Sequence, residues 1–212
     1  MKITKLVHSC VLVESENGNV LFDPGIFSWN SGLVSVANLP QLDAVVVSHA
    51  HPDHCGEPFV RALAIKYPQV QWFAPLDAHE TLKAWGVIHV SNTSLDNFQV
   101  EQGNHAPVEP FGKQVQNLQT NWDGVITHPG DTHDIKKTNP ILFMPFQAPW
   151  GTTINAIEVV KKLQPKYVLP IHDWMWNDVW REDAYGRLEA IFKDGPTQFL
   201  RPTDGVSIKV DL

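Results

Sequence analysis

Residues 43–54 read DAVVVSHAHPDH, an apolar run that leads directly into a cluster of metal-binding side chains. The continuous run over 43–48 predicts a β-strand that is buried on both faces of its sheet. α/β proteins place ligand sites at strand ends, and imidazole and carboxylate groups suit Zn²⁺ as well as Fe or Mn. The sequence therefore predicts a metal site in the loop, whose three histidines and one aspartate fall within six residues: His49, His51, Asp53 and His54.

The spacing within this loop indicates two ions rather than one. Alternate residues of a tight loop can converge on one point, so His49 and His51 can share an ion while Asp53 and His54 face a second. One loop cannot fill two coordination spheres, so further ligands are needed. Three residues elsewhere in the chain each follow a predicted strand, which makes them the expected further ligands: His105, Asp131 and His172. His128 and His133 flank Asp131 and are alternatives to His105.

Apolar periodicity predicts strands and helices that alternate along the chain, which is typical of an α/β protein with covered sheets. No linker is evident, so we expect a single domain over 1–212, made of two αβ halves at roughly 1–115 and 116–212. Strands are predicted at 2–7, 9–14, 19–23, 43–48, 70–74, 87–91, 97–101, 124–128, 141–146, 166–171 and 206–211. Helices are predicted at 57–67, 76–85, 152–164 and 178–193.

Composition narrows the class of protein. Hydrophobic residues make up 43% and charged residues 18% of the chain, an ordinary mix for a globular protein. The net charge of -7 and the lack of a basic run disfavour nucleic-acid binding. We find neither a signal-peptide pattern nor an apolar stretch of membrane-spanning length, so we expect a cytoplasmic protein without membrane association. The two cysteines, Cys10 and Cys55, are expected to be buried free thiols.

Five spaced motifs resemble those of the metallo-β-lactamase-fold hydrolases, and the resemblance covers nearly the whole chain. They are Asp23 in LFDPG, the HAHPDH stretch at 49–54, His105, Gly130-Asp131-Thr132 and His172. Residues 7–14 and 156–172 are most similar to the ascorbate-phosphate-lactonase-like group. The resemblance implies a four-layer αββα sandwich with metals at one rim. It also implies the distribution of ligands: His49, His51 and His105 on the first metal, Asp53, His54 and His172 on the second, and Asp131 bridging the two.

The expected function is hydrolysis of a small-molecule ester, lactone or phosphoester. Two divalent cations, zinc with manganese or iron as alternatives, would lower the pKa of a shared water so that hydroxide attacks the substrate. Asp53 and Asp131 are the expected catalytic residues, and Asp53 could relay the proton. Asp23 either orients a ligand or forms an Asp-Pro-Gly turn. His8 could form a hydrogen bond near the site or have a structural partner only.

The sequence is less consistent with other functions of the same fold. A nucleic-acid phosphodiesterase would need a basic surface or an added domain, and neither is evident. A non-hydrolytic metal-binding protein of the flavodiiron type would need a flavin domain, for which 212 residues leave no room. A vestigial site is disfavoured by the complete ligand set. The expected partner is a small-molecule substrate, and a homo-oligomer remains open.

Tryptophans crowd just after His172. Trp174, Trp176 and Trp180 either line the substrate pocket or pack in the core or an interface, and we hypothesise that at least one lines the pocket. Trp176 and Trp180 are four residues apart and are expected to share one helix face. If none of them lines the pocket, its wall is to be sought at Trp150 or Phe27.

Overall fold

A computed structural model describes residues 1–212 of the chain. Its strands, numbered β1 to β13 in chain order, are Lys2–Val7, Cys10–Ser15, Gly18–Phe22, Ala44–Val46, Gln71–Phe73, Val90–Ser91, Phe98–Asn104, Gln116–Trp122, Ile126–His128, Ile141–Pro145, Tyr167–Ile171, Gln198–Phe199 and Ser207–Lys209. Its helices, α1 to α5, are Ile26–Asn30, Glu57–Lys66, His79–Ala84, Thr153–Leu163 and Asp178–Phe192. None of these helices has the length and apolar character that crossing a membrane would need.

The strands form two sheets. The first has seven strands in the order β13-β1-β2-β3-β4-β5-β6, and the second has six in the order β12-β11-β10-β9-β8-β7. The sheets therefore divide the chain between β6 and β7 rather than near residue 115, and β13 returns to the first sheet.

Side-chain alternation along the strands produces four layers. In β2, Cys10 and Leu12 point into a core shared with α2, while Val11 and Val13 point into a core between the two sheets. In β10, Ile141 and Phe143 face that central core, while Leu142 and Met144 face α4 and α5. Because successive side chains of a strand point to opposite faces, one strand serves two cores at once. Three cores between four layers make an αββα sandwich, which confirms the predicted fold class.

Strand direction explains why so many polar residues meet at one rim. In the first sheet β3 and β4 are parallel, and β1 runs the same way because it is two antiparallel pairings from β3. In the second sheet β9, β10 and β11 are parallel. β7 runs in the same direction, because two antiparallel pairings separate it from β9. The carboxyl ends of these strands meet at one edge of each sheet, and the two edges lie together: the His172 amide donates to the His8 carbonyl at 3.3 Å.

The structure corrects the sequence-based elements in several places. β8 was not predicted because its sequence, QNLQTNW, carries polar side chains at buried positions such as Asn117 and Thr120. α1 and the two-residue β12 were missed because they are too short to show a periodicity. The predicted helix at 76–85 begins as a 3-10 turn at Leu76–Ala78. Cys10 and Cys55 are free and buried, as predicted, and burial raises the pKa of Cys55 to about 12.

Candidate metal centre

All seven predicted ligands lie at the shared rim, just beyond strand ends. The loop after β4 carries four of them, and the ends of β7, β9 and β11 supply His105, Asp131 and His172. Three of the six non-glycine residues with a positive φ angle are also here, at the ends of β1, β3 and β11: His8, Asp23 and His172. Such left-handed conformations are uncommon outside glycine and tend to cluster at functional sites.

A first group of side chains consists of His49, His51 and His105. One nitrogen of each ring lies within 4.8 Å of the corresponding nitrogens of the other two. These residues come from both sheets, so only the folded sandwich brings them together. Neither alternative to His105 joins them. His128 stacks on Phe22 and places its Nε2 3.3 Å from Asp23, while His133 Nε2 faces the Pro145 carbonyl oxygen at 3.0 Å.

A second group consists of Asp53, His54 and His172, together with His8. The Asp53 Oδ2 atom lies 3.6 Å from His54 Nε2 and 3.7 Å from His172 Nε2. It also accepts a hydrogen bond from His8 Nε2 at 3.2 Å. The Trp174 amide donates to His8 Nδ1 at 3.3 Å, so the ring proton sits on Nε2 and points at Asp53. His8 thus orients Asp53, and a hydrogen bond near the site was one of the two roles expected for it.

Asp131 lies between the two groups. Its Oδ2 atom is 3.3 Å from His105 Nε2, 3.9 Å from His49 Nε2 and 2.9 Å from His172 Nε2. Its Oδ1 atom is 3.3 Å from His54 Nε2. Two atoms bound to one tetrahedral zinc at about 2.1 Å each are separated by about 3.4 Å. The spacing around Asp131 is compatible with side chains that surround a bound metal ion.

The second ring nitrogen of the histidines is held by a partner outside the centre. His51 donates to the Lys113 carbonyl at 2.7 Å, His54 donates to Asp23 Oδ2 at 2.7 Å, and His172 donates to the Gln147 carbonyl at 2.5 Å. Such outer contacts fix the tautomer and the ring orientation of metal-binding histidines. The remaining nitrogen of each ring is thereby left as a lone-pair donor towards the centre.

Unpaired buried atoms provide the test of whether a metal fits. His49 Nε2, His54 Nε2 and Asp131 Oδ1 are buried and have no hydrogen-bond partner. Leaving such an atom unsatisfied costs about 1–3 kcal/mol. All three face the same space, and all are ligand atoms that divalent transition metals prefer. The residues present therefore fit a metal centre.

The electrostatics of the site also favour a cation. Burial and the nearby His54 hold the pKa of His49 well below its ordinary value, so this ring is neutral and free to bind. Burial would raise the pKa of Asp131, but His172, His54 and His49 outweigh it and hold that pKa well below its ordinary value. For His54, burial lowers the pKa, yet Asp131, Asp23 and Asp53 overcome it and raise the pKa to about 10. The pocket thus favours positive charge, which a divalent cation supplies.

Asp23 orients the histidine loop, which is one of the two roles expected for it. Its Oδ1 accepts the Ser48 amide at 2.7 Å, and its Oδ2 accepts Ser48 Oγ at 2.8 Å besides His54. The following turn is pressed against the loop as well. A Cβ added at Gly25 would lie 1.6 Å from the Asp53 carbonyl oxygen, so only glycine fits there.

A cavity of about 580 Å³ opens above the centre, and Asp53, Asp131 and His172 form part of its floor. The hypothesis that Trp174, Trp176 or Trp180 lines this pocket is wrong, since none of the three is a lining residue. Phe27 and Trp150, the stated alternatives, both line it. The Trp150 indole nitrogen also donates to Asp131 Oδ2 at 3.1 Å, a contact that no sequence signal indicated.

The three tryptophans have other roles. Trp174 stacks on the outer side of Phe27, with ring centroids 5.5 Å apart. Trp176 precedes the Asn177 cap of α5, so it does not share a helix face with Trp180, and it packs near Tyr185 in the outer core. Trp180 is 48% exposed and lies beside Arg187. The packing interpretation therefore holds for Trp176.

The chain is similar to proteins of known family and fold. The beta-lactamase superfamily domain matches residues 2–172. The protein Rv0786c of Mycobacterium tuberculosis is 28% identical over 198 residues, which cover 89% of this chain and 91% of the relative. A UPF0173 metal-dependent hydrolase of Carboxydothermus hydrogenoformans is 25% identical over 83% of this chain and 86% of its own. The metallo hydrolase Igni18 of Ignicoccus hospitalis has the same fold, with a TM-score of 0.67 at 16% identity over 99% of each chain.

Proposed function

We propose that this chain, which belongs to the beta-lactamase superfamily and is a metal-dependent hydrolase, uses two divalent metal ions to cleave a small-molecule ester, lactone or phosphoester. Zinc is the proposed metal because imidazole nitrogen dominates the candidate ligand set, although manganese and iron accept the same ligands. The proposed subgroup is the ascorbate-phosphate-lactonase-like one. It is supported only by the resemblance of residues 7–14 and 156–172.

The observation that carries a two-ion centre is the position of Asp131. Its two carboxylate oxygens face different partners, Oδ1 towards His54 and Oδ2 towards His105 and His172. One ion saturated by four ligands would leave part of the seven-residue set without a role. A carboxylate between two groups of ligands is the arrangement expected of a bridge.

Divalent ions bound here would lower the pKa of a water molecule towards neutrality and polarise the bond to be cleaved. The protein supplies the rest. Asp53 lines the cavity, and although burial opposes it, His54, His8 and His172 hold its pKa well below the ordinary value. It is therefore an ionised proton acceptor, and the hydrogen bond from His8 fixes its orientation. Trp150 donates a hydrogen bond to Asp131 Oδ2 and so helps to fix the orientation of this carboxylate.

The test is metal content measured alongside turnover. Protein purified with excess zinc or manganese should contain about two ions per chain by elemental analysis. His172→Ala should lose close to one ion, whereas His89→Ala, at an exposed histidine away from the centre, should retain both. Asp53→Ala should lower kcat by about 10²–10⁴ if it accepts the proton. A stable maximum of one ion, unchanged by His172→Ala, would contradict the dinuclear proposal.

A further inference from the structure

We infer that the cavity takes an uncharged carboxylic ester or lactone with an apolar substituent, in preference to an anionic phosphoester. The inference rests on the proposed hydrolase function and narrows its substrate class. It comes from the chemistry of the cavity wall rather than from the metal-binding residues.

The wall is apolar on several sides. Phe27 is contributed by α1, Val108 and Phe111 by the connection from β7 to β8, Trp150 by the connection from β10 to α4, and Met175 by the connection from β11 to α5. Phe27 packs beside His8, with ring centroids 5.2 Å apart, while Trp150 packs beside His105 at 5.9 Å and His172 at 6.1 Å. Aromatic rings thus flank the centre from separate elements. A volume of about 580 Å³ suits a small molecule.

The wall around the metal-binding residues carries no lysine or arginine that could pair with an anion, since neither occurs among the 15 lining residues. The two carboxylates in the lining, Asp53 and Asp131, belong to the candidate ligand set and offer an anionic substituent no hydrogen-bond donor. Proteins that select phosphate groups generally present arginine or lysine to them. A phosphoester would therefore have no charge compensation from the side chains of this wall.

The cavity mouth points to an apolar substituent on the substrate. Phe111 is 80% exposed and Met175 is 63% exposed, although both line the cavity. An alkyl or aromatic group lying between them would remove apolar surface of both partners from water, which is favourable in proportion to the area. The one side-chain amide among the lining residues is that of Gln147, a neutral group.

The reaction is an ordinary hydrolysis. The oxygen of one water forms a bond to the carbonyl carbon, and the bond from that carbon to the alcohol oxygen breaks. One proton of the water ends on the leaving oxygen, and the other leaves with the acid. An ester gives an acid and an alcohol, and a lactone gives one hydroxy acid.

Turnover by the metal-loaded protein provides the first test. The substrates are p-nitrophenyl acetate, butyrate and hexanoate, with p-nitrophenyl phosphate and bis(p-nitrophenyl) phosphate as anionic counterparts. We expect kcat/KM to rise about three- to four-fold for each added methylene that is buried. Phe111→Ala should flatten this rise. Ile65→Ala removes a side chain that is 82% exposed outside the cavity and should leave the rise intact.

Binding provides a second test that does not depend on turnover. The metal-loaded protein is titrated by calorimetry with acetamide, butanamide and hexanamide, neutral analogues that resist hydrolysis. Affinity should increase along the series by the same factor for each methylene, and Phe111→Ala but not Ile65→Ala should reduce the increase. Affinity that is independent of chain length would overturn the inference.

The two tests separate the inference from the proposed function. Hydrolysis of phosphoesters in preference to the neutral esters would support a hydrolase but overturn the substrate class. Chain-length-dependent binding of the amides with no hydrolysis of any ester or phosphoester would support the apolar site and count against ester and phosphoester hydrolysis. Preference for neutral esters that grows with chain length in both tests would support both.

Discussion

At the scale of single residues, close backbone approach determines where Asp131 lies. Gly130 has φ +65°, and a Cβ added there would lie 2.1 Å from Asn117 Oδ1. That oxygen accepts the Asp131 amide at 3.0 Å, and the Asn117 amide nitrogen donates to the Pro129 carbonyl at 2.8 Å. The buried Asn117 therefore holds the turn that presents Asp131 to both groups of histidines. Its place in the unpredicted strand β8 explains why it was not among the expected site residues.

Two glycines with the same φ angle, Gly124 and Gly130, allow the cost of backbone strain to be measured separately from the cost of displacing Asn117. Gly124 has the same φ of +65° but open space around its Cβ position, so Gly124→Ala should destabilise the fold by only about 1–2 kcal/mol. Gly130→Ala should destabilise it by more than this and should also weaken metal binding, because Asn117 must move. Urea unfolding and metal titration of both variants measure the difference. Equal stability losses with unchanged metal affinity would show that the Asn117 contact does not position Asp131.

At the scale of elements, buried polar contacts join β1, the segment that follows β11, and α5. Lys5 of β1 places its Nζ atom 2.7 Å from Asp173, the residue after His172, and 3.1 Å from Asp204. Tyr185 of α5 also donates a hydrogen bond to Asp173. The Lys5 and Asp173 side chains are fully buried. Burial would raise the pKa of Asp173, but Lys5 and Tyr185 outweigh it and lower that pKa. The segment that carries His172 is thus fixed from its far side.

Removing this lysine should be strongly destabilising. Lys5→Met leaves a buried carboxylate without its cation, which typically costs about 3–5 kcal/mol. Lys2→Met is the control on the same strand, because Lys2 pairs with Glu14 at 2.9 Å but is 55% exposed. Exposed pairs contribute about 0–1 kcal/mol. Denaturant unfolding of the two variants measures both values. A loss at Lys5 no larger than that at Lys2 would mean that the buried pair does not anchor the segment.

At the scale of the whole molecule, the candidate centre is a junction between the two sheets. His49, His51 and His54 follow a strand of the first sheet, whereas His105, Asp131 and His172 follow strands of the second. Ions that bind all of them bind only the folded sandwich. Ligands that bind the native state alone raise its stability by mass action.

Metal should therefore stabilise the whole fold. At a free metal concentration 100 times the dissociation constant, the gain is about 2.7 kcal/mol for each site. The melting temperature should fall when a chelator is added, and His105→Ala should reduce the size of that fall. His89→Ala again serves as the unaffected control. Identical melting curves for loaded and chelated protein would show that the histidine and aspartate groups do not hold an ion across the two sheets.

The sequence by itself determined the layered α/β architecture and the residues expected to bind metal. Both are local properties: apolar alternation is a property of one strand, and HAHPDH places its donors within one loop. The further ligands could be anticipated because each follows a predicted strand. The proposed distribution of these residues between two ions is supported by the two groups that their side chains form in the structure.

Only the tertiary structure decided what surrounds these residues. His51 donates to the backbone carbonyl of Lys113, and His172 donates to that of Gln147. Because every residue has a backbone carbonyl, the sequence carries no sign of either contact. The role of His8 depends on a contact between β1 and the loop after β4. The cavity wall likewise assembles from separate connections, with Phe27 and Trp150 in place of the tryptophans that follow His172. Such contacts join residues far apart in the chain, so they exist only once both sheets have packed.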